Sequence, residues 1–248
     1  HLNDLTDFFK NNKKFKESIK IEYLIGNNKN LIDSINNLDT TYLSNYVYKK
    51  LISGNKENFI SICNSLILKG NPLHLIFDKI LIPVLIKIGD NWDNNKLSIT
   101  EEHLASETIR QFLYSLNFQQ IQKKSKYNAF CFTMVNDKHD LPIHMAESLL
   151  CLKEKIKIFN LGPNLPANDF IELSKKIFPD IIYISVIYVD NKDLLNKEIA
   201  SLFNHFRELD TKIFLSGTGL NKLNLNGFNF FKLNSFESFN SELELLFK

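Results

Sequence analysis

Arginine is almost missing from this 248-residue chain: Arg110 and Arg207 are the only two among 30 basic residues. Guanidinium forks that read phosphate are therefore scarce, and a formal charge of +2 supplies no strong field for nucleic acid or an anionic membrane. Glycine (8) and proline (6) are too few for a collagen-like or low-complexity chain. The three cysteines, Cys63, Cys131 and Cys151, are odd in number and make no CxxC pair, which excludes a disulfide scaffold. Each lies in an apolar run, so buried thiols in a reducing cytoplasm are expected. No run reaches the ~18 apolar residues of a membrane span, and no signal peptide is visible. The chain opens on His1 rather than Met, which leaves a further domain upstream open.

What is abundant is core material. Hydrophobic residues make up 44% of the chain, with 21 phenylalanines, enough for one or two domains with proper cores. The first half reads as helix. Residues 2–20 carry a stripe of Leu2, Leu5, Phe8, Phe9, Phe15 and Ile19, and Gly26 with its neighbouring asparagines marks a break. Four helical stretches follow at about 41–53, 55–69, 72–91 and 99–118, joined by Ser53-Gly54, Gly70-Asn71-Pro72 and a polar turn over 90–96. Such short joints favour antiparallel neighbours, hence a four-helix bundle.

From Tyr127 the period changes. Strands are expected at 127–135, 156–160, 180–188, 212–216 and 227–232, alternating with helices at 142–153, 167–178, 191–209 and 235–247. Repeated βα units imply a parallel sheet with helices on both faces, and ligands of such sheets sit beyond the carboxyl ends of the strands. The domains expected are an N-terminal helical extension (1–40), a four-helix-bundle cap (41–122) and a Rossmann-like domain (123–248).

Four features carry chemistry. After the first strand, Asp137 stands two residues before His139, so its carboxylate can accept from one imidazole nitrogen while the other binds a metal. Taken alone, a loop histidine is more often solvated. Ser185 puts a hydroxyl into the most apolar strand, where the plain reading is a core serine bonded to backbone. Gly217 and Gly219 permit close backbone approach after the fourth strand, although glycine turns there are common. In the helical half, Ser98 and Glu101 form a capping box that places Glu102 and His103 in the first turn of the last bundle helix, just after Trp92. Leu104, Thr108, Ile109, Phe112 and Leu116 then read as its core stripe. A tryptophan packed over a polar helix start explains this equally well.

Together these pieces resemble cobalamin-binding modules, in which a four-helix-bundle cap precedes a Rossmann-like corrinoid domain. The signature there is Asp/Glu-x-His-x-x-Gly, then Ser-x-Leu/Thr, then a Gly-Gly turn. Here Asp137-x-His139, Ser185-x-Ile187 and Gly217-Thr218-Gly219 occupy those places, with Leu141 inside the first motif and Pro142 at its glycine. The resemblance covers about residues 41–225. Trp92 followed by Glu102-His103 is similar to the cap of the light-sensing MerR-class repressors of the CarH type, with Asp93 where several of these carry a further histidine. Their helix-turn-helix has no counterpart in this sequence.

The resemblance implies an all-α cap followed by a five-stranded parallel, flavodoxin-like sheet. It makes His139 the lower axial ligand to cobalt, in place of the cofactor's benzimidazole, with Asp137 orienting it. Ser185, Gly217, Thr218 and Gly219 would line the slot for the displaced nucleotide tail, and Leu141, Pro142 and Ile187 belong to the same binding positions. Trp92, Glu102 and His103 would enclose the upper, adenosyl face. The implied function is a non-enzymatic cytoplasmic sensor that binds adenosylcobalamin, responds to light and controls transcription through a change of homo-oligomeric assembly. DNA would be reached only through a segment outside these residues, and no membrane partner is implied. The alternatives are a corrinoid methyl carrier of a methyltransferase system, or a related domain for another tetrapyrrole, a bilin or haem.

Overall fold

A computed structural model describes residues 26, 28–117 and 125–247, so the apolar stripe over 2–20 lies outside the described residues. The chain divides into two compact units, with the boundary between residues 119 and 120.

The first unit is helical. Its elements are α1 (Lys29–Asn37), α2 (Thr40–Ile52), α3 (Lys56–Leu68), α4 (Leu73–Ile76), a π-helical turn (Phe77–Leu81), α5 (Ile82–Asp93) and α6 (Ile99–Asn117). Short polar side chains start three of them: Asn28, Asp39 and Asn55 each accept from the backbone amide three residues on. The third long helix expected over 72–91 is interrupted by the π turn, in which the Ile82 amide donates to the Phe77 carbonyl. Pro83 follows at once, and a proline supplies no amide to the preceding turn, which widens to compensate. Helix α1, assigned from sequence to an extension, packs on α2 and α3 and buries Leu31 and Ile35.

The stripe expected on α6 holds at Thr108, Ile109 and Phe112 and fails at its ends: Leu104 is 44% exposed and Leu116 half-buried, while Ala105 and Leu113 face inward. This set follows the i, i+3, i+4, i+7 helical spacing from Ala105, and Leu104 falls outside that arc.

The second unit is the expected parallel α/β fold. It contains β1 (Tyr127–Met134), α7 (Leu141–Leu150), β2 (Ile156–Leu165), α8 (Ala167–Ser174), β3 (Ile181–Ser185), α9 (Lys192–Phe206), β4 (Lys212–Ser216), β5 (Phe231–Lys232) and α10 (Phe236–Leu246). The strand order is β2-β1-β3-β4-β5 and each pairing is parallel, the flavodoxin-like arrangement. Side chains alternate across the sheet. Phe130, Phe132, Ile182 and Ile184 meet α8 and α9 on one face, with Phe170 wedged against Phe130 and Phe132. Tyr183 and Phe214 meet Phe239 of α10 on the other. The order reverses between β1 and β3, so the switch point lies at the ends of the strands that lead to Asp137 and Ser185.

Three strands differ from expectation by more than a residue. Strand β2 runs on to Leu165 through register shifts against β1, with Gly162 and Asn164 in the left-handed region (φ 77° and 66°). Strand β3 stops at Ser185 rather than 188, and β5 is only two residues long. The thiols form no disulfide among the described residues. Cys63 and Cys131 are buried as expected, whereas Cys151 is only half-buried.

Candidate functional site

Strand β3 ends early because a carboxylate takes its next amides. Val186 still donates to Ser216 O at 2.8 Å, but the amides of Ile187 and Tyr188 turn to Asp137 Oδ2, at 2.6 and 3.1 Å. The other oxygen of Asp137 accepts from the backbone amide of His139 (3.1 Å) and lies 2.7 Å from its ring Nδ1. Asp137 is fully buried, while the His139 side chain is 55% exposed. A buried carboxylate surrounded by four donors fixes both the loop and the imidazole, and leaves Nε2 as the nitrogen that could hold a metal. The Tyr188 ring stands 6.3 Å from that of His139, a neighbour that no sequence motif revealed.

The same loop is fastened to β2. Thr133 Oγ1 donates to the Asp137 carbonyl, which also accepts from Asn164 N at 3.1 Å. Asn136 N donates to Asn164 Oδ1 at 2.7 Å. Leu141 and Pro142 begin α7, with Pro142 in its first turn, where a missing amide costs nothing. Leu141 is buried and packs there as a core residue.

A row of hydroxyls crosses the sheet at this edge, since Thr133 pairs in register with Ser185, and Ser185 with Ser216. Thr133 and Ser216 are satisfied, the latter by Tyr183 Oη at 2.8 Å. Ser185 Oγ is buried and has no hydrogen-bond partner among the described residues. The expected backbone bond of a core serine is thus not made. A buried polar atom without a partner costs about 1–3 kcal/mol, so this hydroxyl suits a ligand atom. The carboxylate-held imidazole and the orphaned hydroxyl both lie at the switch-point edge of the sheet, where the first could hold a metal and the second could meet a polar ligand atom.

The glycine turn is demanded by the protein's own backbone. Gly217 has φ 106°, and a Cβ there would lie 2.2 Å from Val186 O. A Cβ on Gly219 would lie 2.9 Å from the same oxygen, which accepts from Gly219 N. Close approach is therefore made to the protein's own β3 exit, with the exposed Thr218 opening the 3-10 turn (Thr218–Lys222) between the two strands' loops.

Beneath the loop lies a polar cluster that sequence reading missed. His144 of α7, 5% exposed, has Nε2 at 3.6 Å from Asp140 and Nδ1 at 3.3 Å from Glu147. Asn160 of β2 places Nδ2 2.9 Å from His144 Nδ1 and 2.7 Å from Glu147 Oε2. Burial opposes charge on His144, but hydrogen bonds to the Asp140 and Glu147 carboxylates prevail and raise its pKa. Only its i, i+3 and i, i+4 spacing to acidic residues could have signalled it. Burial raises the Cys131 thiol well above its ordinary value and Cys151 to about 12, so neither is a ready thiolate.

In the helical unit, Trp92 is 46% exposed and lines an open hollow of about 580 Å³ with Asp93, Leu97 and Ile99. The Ser98–Glu101 capping box is present, with Glu101 Oε2 2.6 Å from Ser98 Oγ, which holds that carboxyl below its ordinary pKa. Glu102 and His103 are bonded to each other (2.6 Å) and Glu102 also accepts from Ser106, but they are not part of the hollow's lining.

Comparison with known proteins bears on both units. Residues 44–117, from α2 to the end of α6, match the B12 binding domain family. The HTH-type transcriptional repressor CarH of Myxococcus xanthus is 25% identical over 112 residues, 45% of this chain. The match spans 36% of that protein's length, so the chain corresponds to about a third of it. The monomethylamine corrinoid protein of Methanosarcina barkeri superposes with a TM-score of 0.61 over 83% of this chain and 99% of its own, at 15% identity, a likeness of fold. Residues 44–117 are thus similar to the B12 binding domain family, and the parallel α/β unit that follows completes a fold like that of the corrinoid protein.

Proposed function

We propose that this chain is a non-enzymatic regulatory module that binds adenosylcobalamin, with His139 as the ligand below cobalt and Ser185 beside the inserted nucleotide tail. The observation that carries the reading is the buried Asp137 carboxylate, which spends one oxygen on two β3-exit amides and the other on His139. That arrangement fixes the imidazole before any ligand arrives, and pre-orientation of this kind raises the affinity of a metal-binding histidine. Bound adenosylcobalamin would supply a Co–C bond that light can break. The helical unit would contribute Trp92, Glu102 and His103 to the adenosyl group: an aromatic face, a carboxylate and an imidazole suit adenine and ribose. Light is proposed as the signal and a change of homo-oligomeric assembly as the output, with DNA engaged only by a segment outside these residues.

The test is the absorption spectrum of the protein with adenosylcobalamin, in darkness and after green light, paired with size-exclusion chromatography. The His139-on spectrum should be lost in His139→Ala, and illumination should change the elution volume. Photolysis with unchanged elution would favour a methyl carrier of a methyltransferase system. Failure to bind any corrinoid, with haem or a bilin bound instead, would overturn the cobalamin reading.

A further inference from the structure

The polar cluster on α7 reaches the His139 loop by two routes. The direct one is short: His144 Nε2 faces Asp140, the residue after His139 and the N-cap of α7. The other passes through β2. Asn160 Oδ1 accepts from Gly162 N at 3.0 Å, which fixes the amide's orientation and leaves both of its N–H groups on Nδ2. One points at Glu147 Oε2 and the other at His144 Nδ1. That arrangement assigns neutral His144 as the Nε2–H tautomer, donating toward Asp140. Gly162 opens the irregular end of β2, and two residues later Asn164 binds Asn136 N and the Asp137 carbonyl. A continuous set of bonds thus links the interior of α7 to both ends of the turn that carries His139.

We propose that His144, with Glu147 and Asn160, is a positioning group for His139: it sets the irregular exit of β2 and the start of α7 so that the Asp137–His139 turn holds one conformation. The proposal rests on His139 being the cobalt ligand. The simpler alternative is that His144 only fills the helix–sheet interface.

Diaquocobinamide, a corrinoid without a nucleotide base, separates the two because its binding spectrum reports His139 ligation alone. His144→Leu removes both routes, Asn160→Ala cuts the second, and His144→Asn keeps an acceptor toward Asn160. The expected result is cobinamide affinity about tenfold weaker for His144→Leu and Asn160→Ala, the scale of lost outer-shell partners, with partial recovery in His144→Asn. In the absence of corrinoid, the amides of His139 and Asn164 should exchange faster in the first two variants, while β3 and β4 amides keep their protection. Should His144→Leu not fold, Asn160→Ala carries the test. Unchanged affinity and exchange in Asn160→Ala, with His139→Ala abolishing the spectrum, would overturn the positioning role alone. If His139→Ala leaves the cobinamide spectrum intact, the ligand assignment falls and the proposal falls with it.

Discussion

The carbonyl oxygen of Val186 occupies the space that a side chain on Gly217 would need, 2.2 Å from the ideal Cβ position. With φ at 106°, the backbone there is also one that L-residues rarely adopt. Gly217→Ala must therefore shift the β4 exit away from β3. We expect a loss of about 3 kcal/mol in unfolding free energy, combining overpacking and backbone strain, and measurable by urea titration. Gly70, also at positive φ but with nothing within 4 Å of its Cβ position, is the control: Gly70→Ala meets only the backbone term.

Replacing Asp137 by Asn tests the junction of the two strand ends. The carboxylate accepts from the backbone amides of His139, Ile187 and Tyr188, and faces His139 Nδ1 with no exposure to water. An amide offers one oxygen where two are required and turns its NH2 toward other donors. Asp137→Asn should cost about 3 kcal/mol, the scale of a broken buried charged network. Chemical denaturation and the exchange rates of the Ile187 and Tyr188 amides are the measurements.

His144 gives the fold a pH dependence of definite sign. Its folded pKa lies above the ordinary histidine value of about 6.5. The contribution is then fully present below about pH 6.5 and is lost as pH rises through the folded value. His144→Gln removes the titration. The stability gap between wild type and His144→Gln should therefore be wider at about pH 5.5 than at about pH 8.5, as read from denaturation midpoints. A gap that widens toward alkaline pH would mean that burial outweighs the carboxylates.

The parallel sheet was legible because β3 and the middle of β1 are apolar runs bounded by turn residues, a pattern that needs no partner to be recognised. The helical unit was legible through the glycine, proline and asparagine joints between its helices. What sequence could not show is competition for the same groups. The run 180–188 reads as strand to its end, yet the Ile187 and Tyr188 amides leave the ladder for a carboxylate 50 residues earlier in the chain. Gly217 and Gly219 read as room for a ligand, and nothing local shows that the Val186 carbonyl also presses on both positions. His144 and Asn160 are 16 residues apart and on different elements, so no local spacing pairs them. Leu104 shows the limit of periodicity, since the stripe that runs correctly through Thr108, Ile109 and Phe112 does not decide between Leu104 and Ala105 at the start of α6.

Ser185 separates the two halves of the proposed site. Its hydroxyl is buried at the middle of the Thr133–Ser185–Ser216 row, and alone of the three has no partner among the described residues. Removing an unsatisfied buried hydroxyl relieves a desolvation cost, so Ser185→Ala should leave the corrinoid-free protein as stable as wild type, or more stable by about 1 kcal/mol. Removing one that bonds an inserted nucleotide should weaken adenosylcobalamin, by about the tenfold expected of one hydrogen bond. Cobinamide has no nucleotide base, so its affinity should not change. Paired titrations of Ser185→Ala with the two corrinoids, beside a thermal melt without either, make the measurement. Equal affinities to wild type for both corrinoids would mean that the tail lies elsewhere, with His139 alone holding the ligand. Equal losses for both, with a lowered melting temperature, would mean that the hydroxyl serves the sheet itself.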